Sequence, residues 1–172
     1  MFEGSLWLFP DTALAAWLQS RIDTLCARFG TPRFCAHLTL LGGIGPIDEA
    51  DAEIGTRELA PRLPPLLLEP TGLHGYDEYF RTLVLDVVDT PALCEARRLA
   101  AARFGVPNPA FKPHLSLIYG GITPAMATEL ASSLSTPWAP EAMATALATS
   151  TARGGVPVPA WITGAEAGLR RR

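Results

Sequence analysis

The chain has 172 residues, 48% of them apolar and 18% charged, with 14 lysines and arginines against 17 aspartates and glutamates for a net charge of −3. This composition excludes a disordered chain, and it excludes a protein that tracks long nucleic acid through a broad basic surface. A small anionic ligand held in one pocket remains allowed, and the length suits one domain, residues 1–172, around a substantial core.

The opening segment Met1-Phe2-Glu3-Gly4-Ser5 has no basic stretch ahead of its short apolar run, and no later run reaches membrane-spanning length. Neither a signal peptide nor a membrane span is expected, which places the chain in the cytoplasm. Residues 6–9 read as a strand, followed by a helix that starts at Asp11-Thr12, where the side chains can accept from orphan backbone N–H groups. Leu14, Trp17, Leu18, Ile22, Leu25 and Phe29 then recur at three- and four-residue steps as one apolar stripe. A second strand passes through His37, and a second helix covers residues 48–60. Residues 66–76 form a strand that ends in Gly72-Leu73-His74-Gly75-Tyr76, a turn-like context in which His74 is structural or solvent-facing.

The pattern then restarts. A strand at 83–87 precedes Asp89-Thr90-Pro91, a helix start with proline tolerated in the first turn. Leu93, Arg97 and Leu99 mark a shorter, more polar helix. A strand through His114 follows, then a helix at 124–134 and a strand at 142–151. A last strand near 159–169 has no counterpart, and the closing Leu169-Arg170-Arg171-Arg172 reads as a solvated tail. Cys26, Cys35 and Cys94 are odd in number and lack CxxC spacing, so they read as reduced thiols, mostly in the core, with no disulfide framework or zinc cage.

The restart is an internal repeat. Ala27-Arg28-Phe29-Gly30-Thr31-Pro32-Arg33-Phe34-Cys35-Ala36-His37-Leu38-Thr39-Leu40-Leu41 matches Ala102-Arg103-Phe104-Gly105 followed, after two extra residues, by Asn108-Pro109-Ala110-Phe111-Lys112-Pro113-His114-Leu115-Ser116-Leu117-Ile118. Both copies continue into Gly-Gly-Ile and then a proline, at Gly42-Gly43-Ile44-Gly45-Pro46 and Gly120-Gly121-Ile122-Thr123-Pro124, with Tyr119 inserted in the second. A duplication determines architecture, so it is weighed first. The expected fold is α+β and bilobal, with repeat halves at approximately 4–76 and 79–152. Each half supplies an antiparallel-type sheet backed by helices, with a cleft between the two sheets. The strand near 159–169 joins one of them and leaves both chain ends in the same lobe.

Alternate side chains of a strand point to opposite faces. His37 and Thr39 therefore share one face, while Phe34, Ala36, Leu38 and Leu40 take the other. His114 and Ser116 likewise point away from Phe111, Pro113, Leu115 and Leu117. A single histidine in a half-buried strand is usually structural, but here two of the three histidines occupy matching positions, each followed by Leu, a hydroxyl residue and Leu.

Related by an approximate two-fold, the two imidazoles would grip one phosphate, with ring nitrogens roughly 5–7 Å apart, and Thr39 and Ser116 would donate to its oxygens. With an unperturbed pKa of about 6.5, one imidazole can act as base while the other acts as acid. Which is which stays open. Two histidines without acidic neighbours at ligand spacing make a poor metal site, so neither metal nor cofactor is expected. Tyr119, at the end of its strand, either flanks a base or ribose or packs. Tyr76, Tyr79 and Phe80 favour core or lid packing over base stacking.

With both motifs placed, the chain resembles the two-histidine (2H) phosphoesterase superfamily, defined by paired His-x-[Thr/Ser]-x motifs on a bilobal duplicated fold. It is most similar to the plant and fungal cyclic phosphodiesterases and their bacterial relatives. Ser5-Leu6-Trp7-Leu8-Phe9-Pro10-Asp11, Pro32-Arg33-Phe34, Tyr79-Phe80-Arg81, Pro113-His114-Leu115-Ser116-Leu117-Ile118-Tyr119 and Trp161 fall in the expected order. The resemblance implies metal-free hydrolysis of ADP-ribose 1″,2″-cyclic phosphate and of nucleoside 2′,3′-cyclic phosphates; a monomer is expected. The resemblance carries over His37, Thr39, His114 and Ser116 as catalytic residues and Tyr119 as a substrate-binding residue. Ala36 departs from the proline often found there in close relatives. An RNA-end enzyme acting on 2′,3′-cyclic or 2′,5′-linked termini is the alternative, with Lys112 and Arg33 on a basic rim. A non-catalytic binder of phosphorylated nucleotides is the second alternative.

Overall fold

A computed structural model describes residues 1–108, 110, 112–134 and 142–170. Phe111, expected on a buried face, and Arg171 and Arg172 of the basic tail lie outside the described residues. The elements are β1 (Phe2–Pro10), α1 (Thr12–Phe29), β2 (Leu38–Ile47), α2 (Glu49–Leu59), β3 (Leu66–Leu67), β4 (Pro70–Gly75), β5 (Leu83–Val87), α3 (Pro91–Phe104), β6 (His114–Ile118), α4 (Pro124–Ser133), β7 (Met143–Ser150) and β8 (Ala167–Gly168). Short 3₁₀ turns lie at Ala60–Arg62, Tyr79–Arg81 and Val158–Ala160.

Every helix starts where a short polar side chain can reach back to the first turn: Asp11, Asp48, Thr90 and Thr123 accept from Leu14, Ala50, Leu93 and Met126 N–H groups respectively. The repeated Arg-Phe-Gly ends α1 and α3 alike, with Gly30 and Gly105 in the left-handed conformation that suits glycine. Asp11 does two jobs, because its second oxygen accepts from Met143 N at 3.0 Å and so ties the start of α1 to β7. Asp11→Ala removes both bonds. It should lower unfolding stability by about 1–2 kcal/mol, read as a drop in the denaturant midpoint, with Asp11→Asn losing less.

The strands pair antiparallel in the order β3-β7-β1-β2-β6-β5-β4, with β8 on β7. The two expected sheets are present as half-sheets of this one sheet, joined only where Leu38 of β2 meets Leu115 of β6. The expected strand 66–76 is split between them, since β3 pairs with β7 while β4 pairs with β5. The last strand of the first repeat thus crosses to the second half-sheet, and β7, from the second repeat, lies between β1 and β3 of the first.

This crossing bends the sheet. β3 and β4 are its opposite edges, about 29 Å apart if the strands lay flat. Yet only three residue steps separate Leu67 from Pro70, a reach of about 11 Å. The edges must curl toward each other about the weak β2–β6 seam, which leaves a cleft on the concave side.

The helices pack across the repeats as well. α2 and α3 lie on the β1, β2 and β7 side, while α1 and α4 lie on β4, β5 and β6. Leu6, Leu8, Leu38, Leu40, Leu115 and Leu117 form the core with them, each 1% exposed or less, and each full burial contributes about 1.5–3 kcal/mol. Arg97, read as a polar position, is instead buried on α3: its guanidinium donates to Leu40 O at 2.7 Å and Asn108 Oδ1 at 2.9 Å, filling backbone and side-chain acceptors that helix packing would otherwise seal from water.

Two other expectations are corrected. Of the cysteines only Cys26 is buried; Cys35, in the segment before β2, and Cys94, near the start of α3, are exposed. The segment near 159–169 is mostly not a strand: a 3₁₀ turn, an isolated Ser150–Thr163 bridge and the two residues of β8 take its place. β8 still joins the half-sheet that contains β1, so both ends of the described chain share one lobe.

Candidate active site

The concave face is built by strand parity. On β1, Ser5 and Trp7 face the cleft while Leu6 and Leu8 enter the core; Trp7 pairs with Thr39 on β2, and His37 precedes Thr39 by two residues. Across the seam, β6 presents His114 and Ser116. His37, Thr39, His114, Ser116 and Tyr119 all line one cavity of about 430 Å³, so the structure brings together every site residue read from the sequence.

The two imidazoles are held alike and solvated differently. His37 Nδ1 lies 2.8 Å from Cys35 O and His114 Nδ1 lies 2.8 Å from Lys112 O. A carbonyl only accepts, so Nδ1 carries the hydrogen in both rings and Nε2 is left for chemistry. His37 is only 5% exposed and lies flat on Trp7, with centroids 3.6 Å apart and planes 10° from parallel. Burial disfavours its charged form and pushes its pKa down to about 4, against the pull of the Cys35 carbonyl and with a small push from His114. His114 is less enclosed. Desolvation also lowers its pKa, but the Lys112 carbonyl, Asp86 and Glu78 pull the other way, while Arg81 adds to the lowering.

The hydroxyls differ too. The Thr39 hydroxyl makes no hydrogen bond among the described residues, whereas Ser116 Oγ donates to Phe80 O at 3.1 Å. Tyr119 is both packed and cavity-lining: it stacks on Phe34 at 4.0 Å, and burial pushes its phenol well above the ordinary value.

Sequence reasoning missed several lining residues. Trp7 and Ser5 carried a legible signal, their two-residue alternation on the strand that pairs with the first histidine strand. Arg81 stands in the Tyr79-Phe80-Arg81 stretch that carries part of the family resemblance, though no strand parity marked it as a lining residue, and Arg153, just past the second repeat half, carried no signal. Arg81 pairs with Glu78 at 3.2 Å and Asp86 at 3.7 Å, and Arg153 pairs with Glu3. Phe80 and Trp161 complete an aromatic wall, each within 6 Å of Tyr119, and Tyr79 lies just outside the lining.

The Tyr79–Arg81 turn is placed by Gly120. That residue has a positive φ of 57°, its N–H donates to Tyr79 O and Thr82 Oγ1, and a Cβ there would sit 2.6 Å from the Tyr79 ring. Arg33, paired with Asp23, and the exposed Lys112 do not line the cavity, so they do not build the basic rim that the RNA-end alternative calls for; the cations on the lining are Arg81 and Arg153. His74 lies in β4, not in a turn, half exposed and bonded to Asp86.

Among the described residues no three histidine, cysteine or acidic side chains gather in a way that could hold a metal ion, and no helix is long and apolar enough to cross a membrane.

No family model and no curated protein matches the chain. Solved structures do. E. coli LigT, a 2H phosphoesterase, complexed with 3′-AMP matches over 99% of both chains at 16% identity and a TM-score of 0.60. A structure described as a phosphoesterase matches over 99% of this chain and 100% of its own, at 16% identity and a TM-score of 0.56. LigT complexed with NADP⁺ matches over 99% of both chains at 16% identity and a TM-score of 0.55. The chain therefore has the LigT fold over its full length, and the resemblance drawn from the histidine motifs holds at the level of architecture.

Proposed function

We propose that this chain is a 2H phosphoesterase that hydrolyses small cyclic phosphodiesters, among them nucleoside 2′,3′-cyclic phosphates and ADP-ribose 1″,2″-cyclic phosphate, without a metal. The observation that carries the reading is the pair of imidazoles on one cavity, each fixed by the same Nδ1–H to carbonyl bond and each offering Nε2. The small phosphorylated molecules held by LigT, 3′-AMP and NADP⁺, support the substrate class.

His37, the ring kept neutral by burial, is the general base: its Nε2 takes a proton from water as the water oxygen bonds to phosphorus. His114, better able to hold a proton, is the general acid: its Nε2–H passes to the sugar oxygen as the phosphorus–oxygen bond of the ring breaks, leaving a phosphomonoester and a free hydroxyl. Thr39 donates to a phosphoryl oxygen, and Ser116 does so by turning its hydrogen away from Phe80 O. Arg81 and Arg153 supply positive charge.

The test is turnover of both substrate types in the presence of EDTA. Hydrolysis is expected, and its absence on every cyclic phosphate tried sinks the reading. The pH dependence of kcat/KM follows from the two rings. Activity should rise as His37 loses its proton near pH 4 and fall as His114 loses its own below pH 6.5, which places the maximum on the acidic side of neutrality. A plateau extending above pH 8 would contradict this.

A further inference from the structure

The His114 half of the cavity has a charged cluster behind it that the reaction described above does not use. Asp86 on β5 is the register partner of His114 on β6, and partners directly opposite in an antiparallel pair project to the same face with Cβ atoms about 4.5–5.5 Å apart. The Asp86 carboxylate is mostly enclosed and held by three side chains. Tyr76 donates its hydroxyl to Oδ2 at 2.6 Å, His74 Nδ1 lies 2.8 Å from the same oxygen, and Arg81 approaches Oδ1 at 3.7 Å. Arg81 also lies over the Tyr76 ring, its guanidinium carbon 4.1 Å from the centroid. The first half holds no such carboxylate: there Trp7, the register partner of Thr39, stacks on His37.

We propose that Asp86 is a positioning residue for His114, a fixed negative charge on the same face of the sheet that offsets Arg81 and helps His114 keep the proton it donates. The inference rests on the reading of His114 as general acid. The surroundings are asymmetric: an indole is stacked on one imidazole, while a carboxylate belongs to the strand neighbour of the other. An opposite charge within a few ångströms stabilises an imidazolium, whereas an apolar wall does not.

The charged and titratable groups that act on His114 from the surrounding elements are Asp86 on β5, Glu78 and Arg81 at the 3₁₀ turn, and His37 across the cavity. Arg81 opposes Asp86 and outweighs it, so Asp86 limits the lowering that burial and Arg81 impose on His114. Tyr76 and His74 hold the carboxylate in place, and a charge on His74 would offset that of Asp86 and weaken its hold on the His114 proton.

The test is an NMR titration of the His114 ring in the intact, substrate-free protein, assigned by comparison with His114→Ala. Asp86→Asn keeps an acceptor for Tyr76 and His74 and removes the charge; the His114 midpoint should fall by about half a unit to one unit. Arg81→Gln removes the opposing cation and should raise it. Tyr76→Phe loses a hydrogen bond but keeps the carboxylate, and should leave the midpoint in place.

In turnover, Asp86→Asn should lower kcat/KM about three- to tenfold above the midpoint and much less below it, as expected for loss of the protonated fraction. An unmoved or raised midpoint in Asp86→Asn overturns the inference; should that variant not fold, a midpoint that does not rise in Arg81→Gln does so. Failure of the functional reading would look different: the wild-type protein would show no turnover while the titration still moved.

Discussion

Alanine at His37 or at His114 is expected to slow hydrolysis of a nucleoside 2′,3′-cyclic phosphate by about 100- to 10,000-fold, and the double variant should be hardly slower than the worse single one. The rings act as a unit. Each supplies one proton transfer in the same step, so once one is gone the other has little left to do. The two lesions can be separated with a phosphodiester that carries an activated aryl leaving group. Such a group departs without a proton, so His114→Ala should be largely spared and His37→Ala should not. Equal losses on the aryl substrate would reverse or erase the assignment of roles. Survival of most activity in either variant on the cyclic substrate would remove these residues from the catalytic step. Both rings are bonded through Nδ1 to a carbonyl two residues back, so alanine also leaves a carbonyl to find water, a stability cost of about 1–3 kcal/mol. Circular dichroism of each variant guards the interpretation.

The second large effect belongs to a residue that is not titratable. Trp7→Ala should destabilise the fold by about 3–5 kcal/mol, because the indole is 1% exposed and leaves a void that the stiff strands β1 and β2 cannot close. Its loss also changes chemistry. Trp7 covers one face of His37 and meets Trp161 edge-on at 5.9 Å, so removing it opens the ring to water. Desolvation is the main cause that holds His37 down to about 4, and relieving it moves the midpoint up toward 6.5. The acid limb of the pH–rate profile should therefore move to higher pH in Trp7→Ala. Trp7→Phe keeps a ring over His37 and should shift it less. Denaturant unfolding reads the first effect and the pH profile reads the second. A Trp7→Ala protein within 1 kcal/mol of wild type, or with its acid limb unmoved, would contradict the role given to this stack.

Much of this site was legible before any coordinates. The repeat located two equivalent strands, and strand parity then said which side chains left the core. His37, Thr39, His114 and Ser116 follow from those two facts, and each lines the cavity. Trp7 and Ser5 could have been added by the same parity applied to the neighbouring strand, though only a known register would have set Trp7 opposite Thr39. Arg153 and Asp86 were out of reach. Their importance comes from pairings across distant stretches, Arg153 with Glu3 and Asp86 with His114, which no local pattern encodes. Arg97 is a related case: helix spacing set it with Leu93 and Leu99, and only the fold supplied the Leu40 carbonyl to which it donates.

The sequence by itself determined the alternation of strands and helices, the caps that start each helix and the two imidazoles with their adjoining hydroxyls, because these depend on backbone periodicity and on side chains a few residues apart. Only the tertiary structure decided that the last strand of each repeat crosses to the other half-sheet, that the sheet curls about one β2–β6 contact to form a cleft, and that the two rings sit in unlike surroundings. Those outcomes depend on which distant strands pair and on how deeply each ring is then enclosed, His37 beneath the Trp7 indole and His114 less so, on a strand paired with that of Asp86. Burial and charge act through space, so two nearly identical stretches of chain acquire different proton affinities once folded.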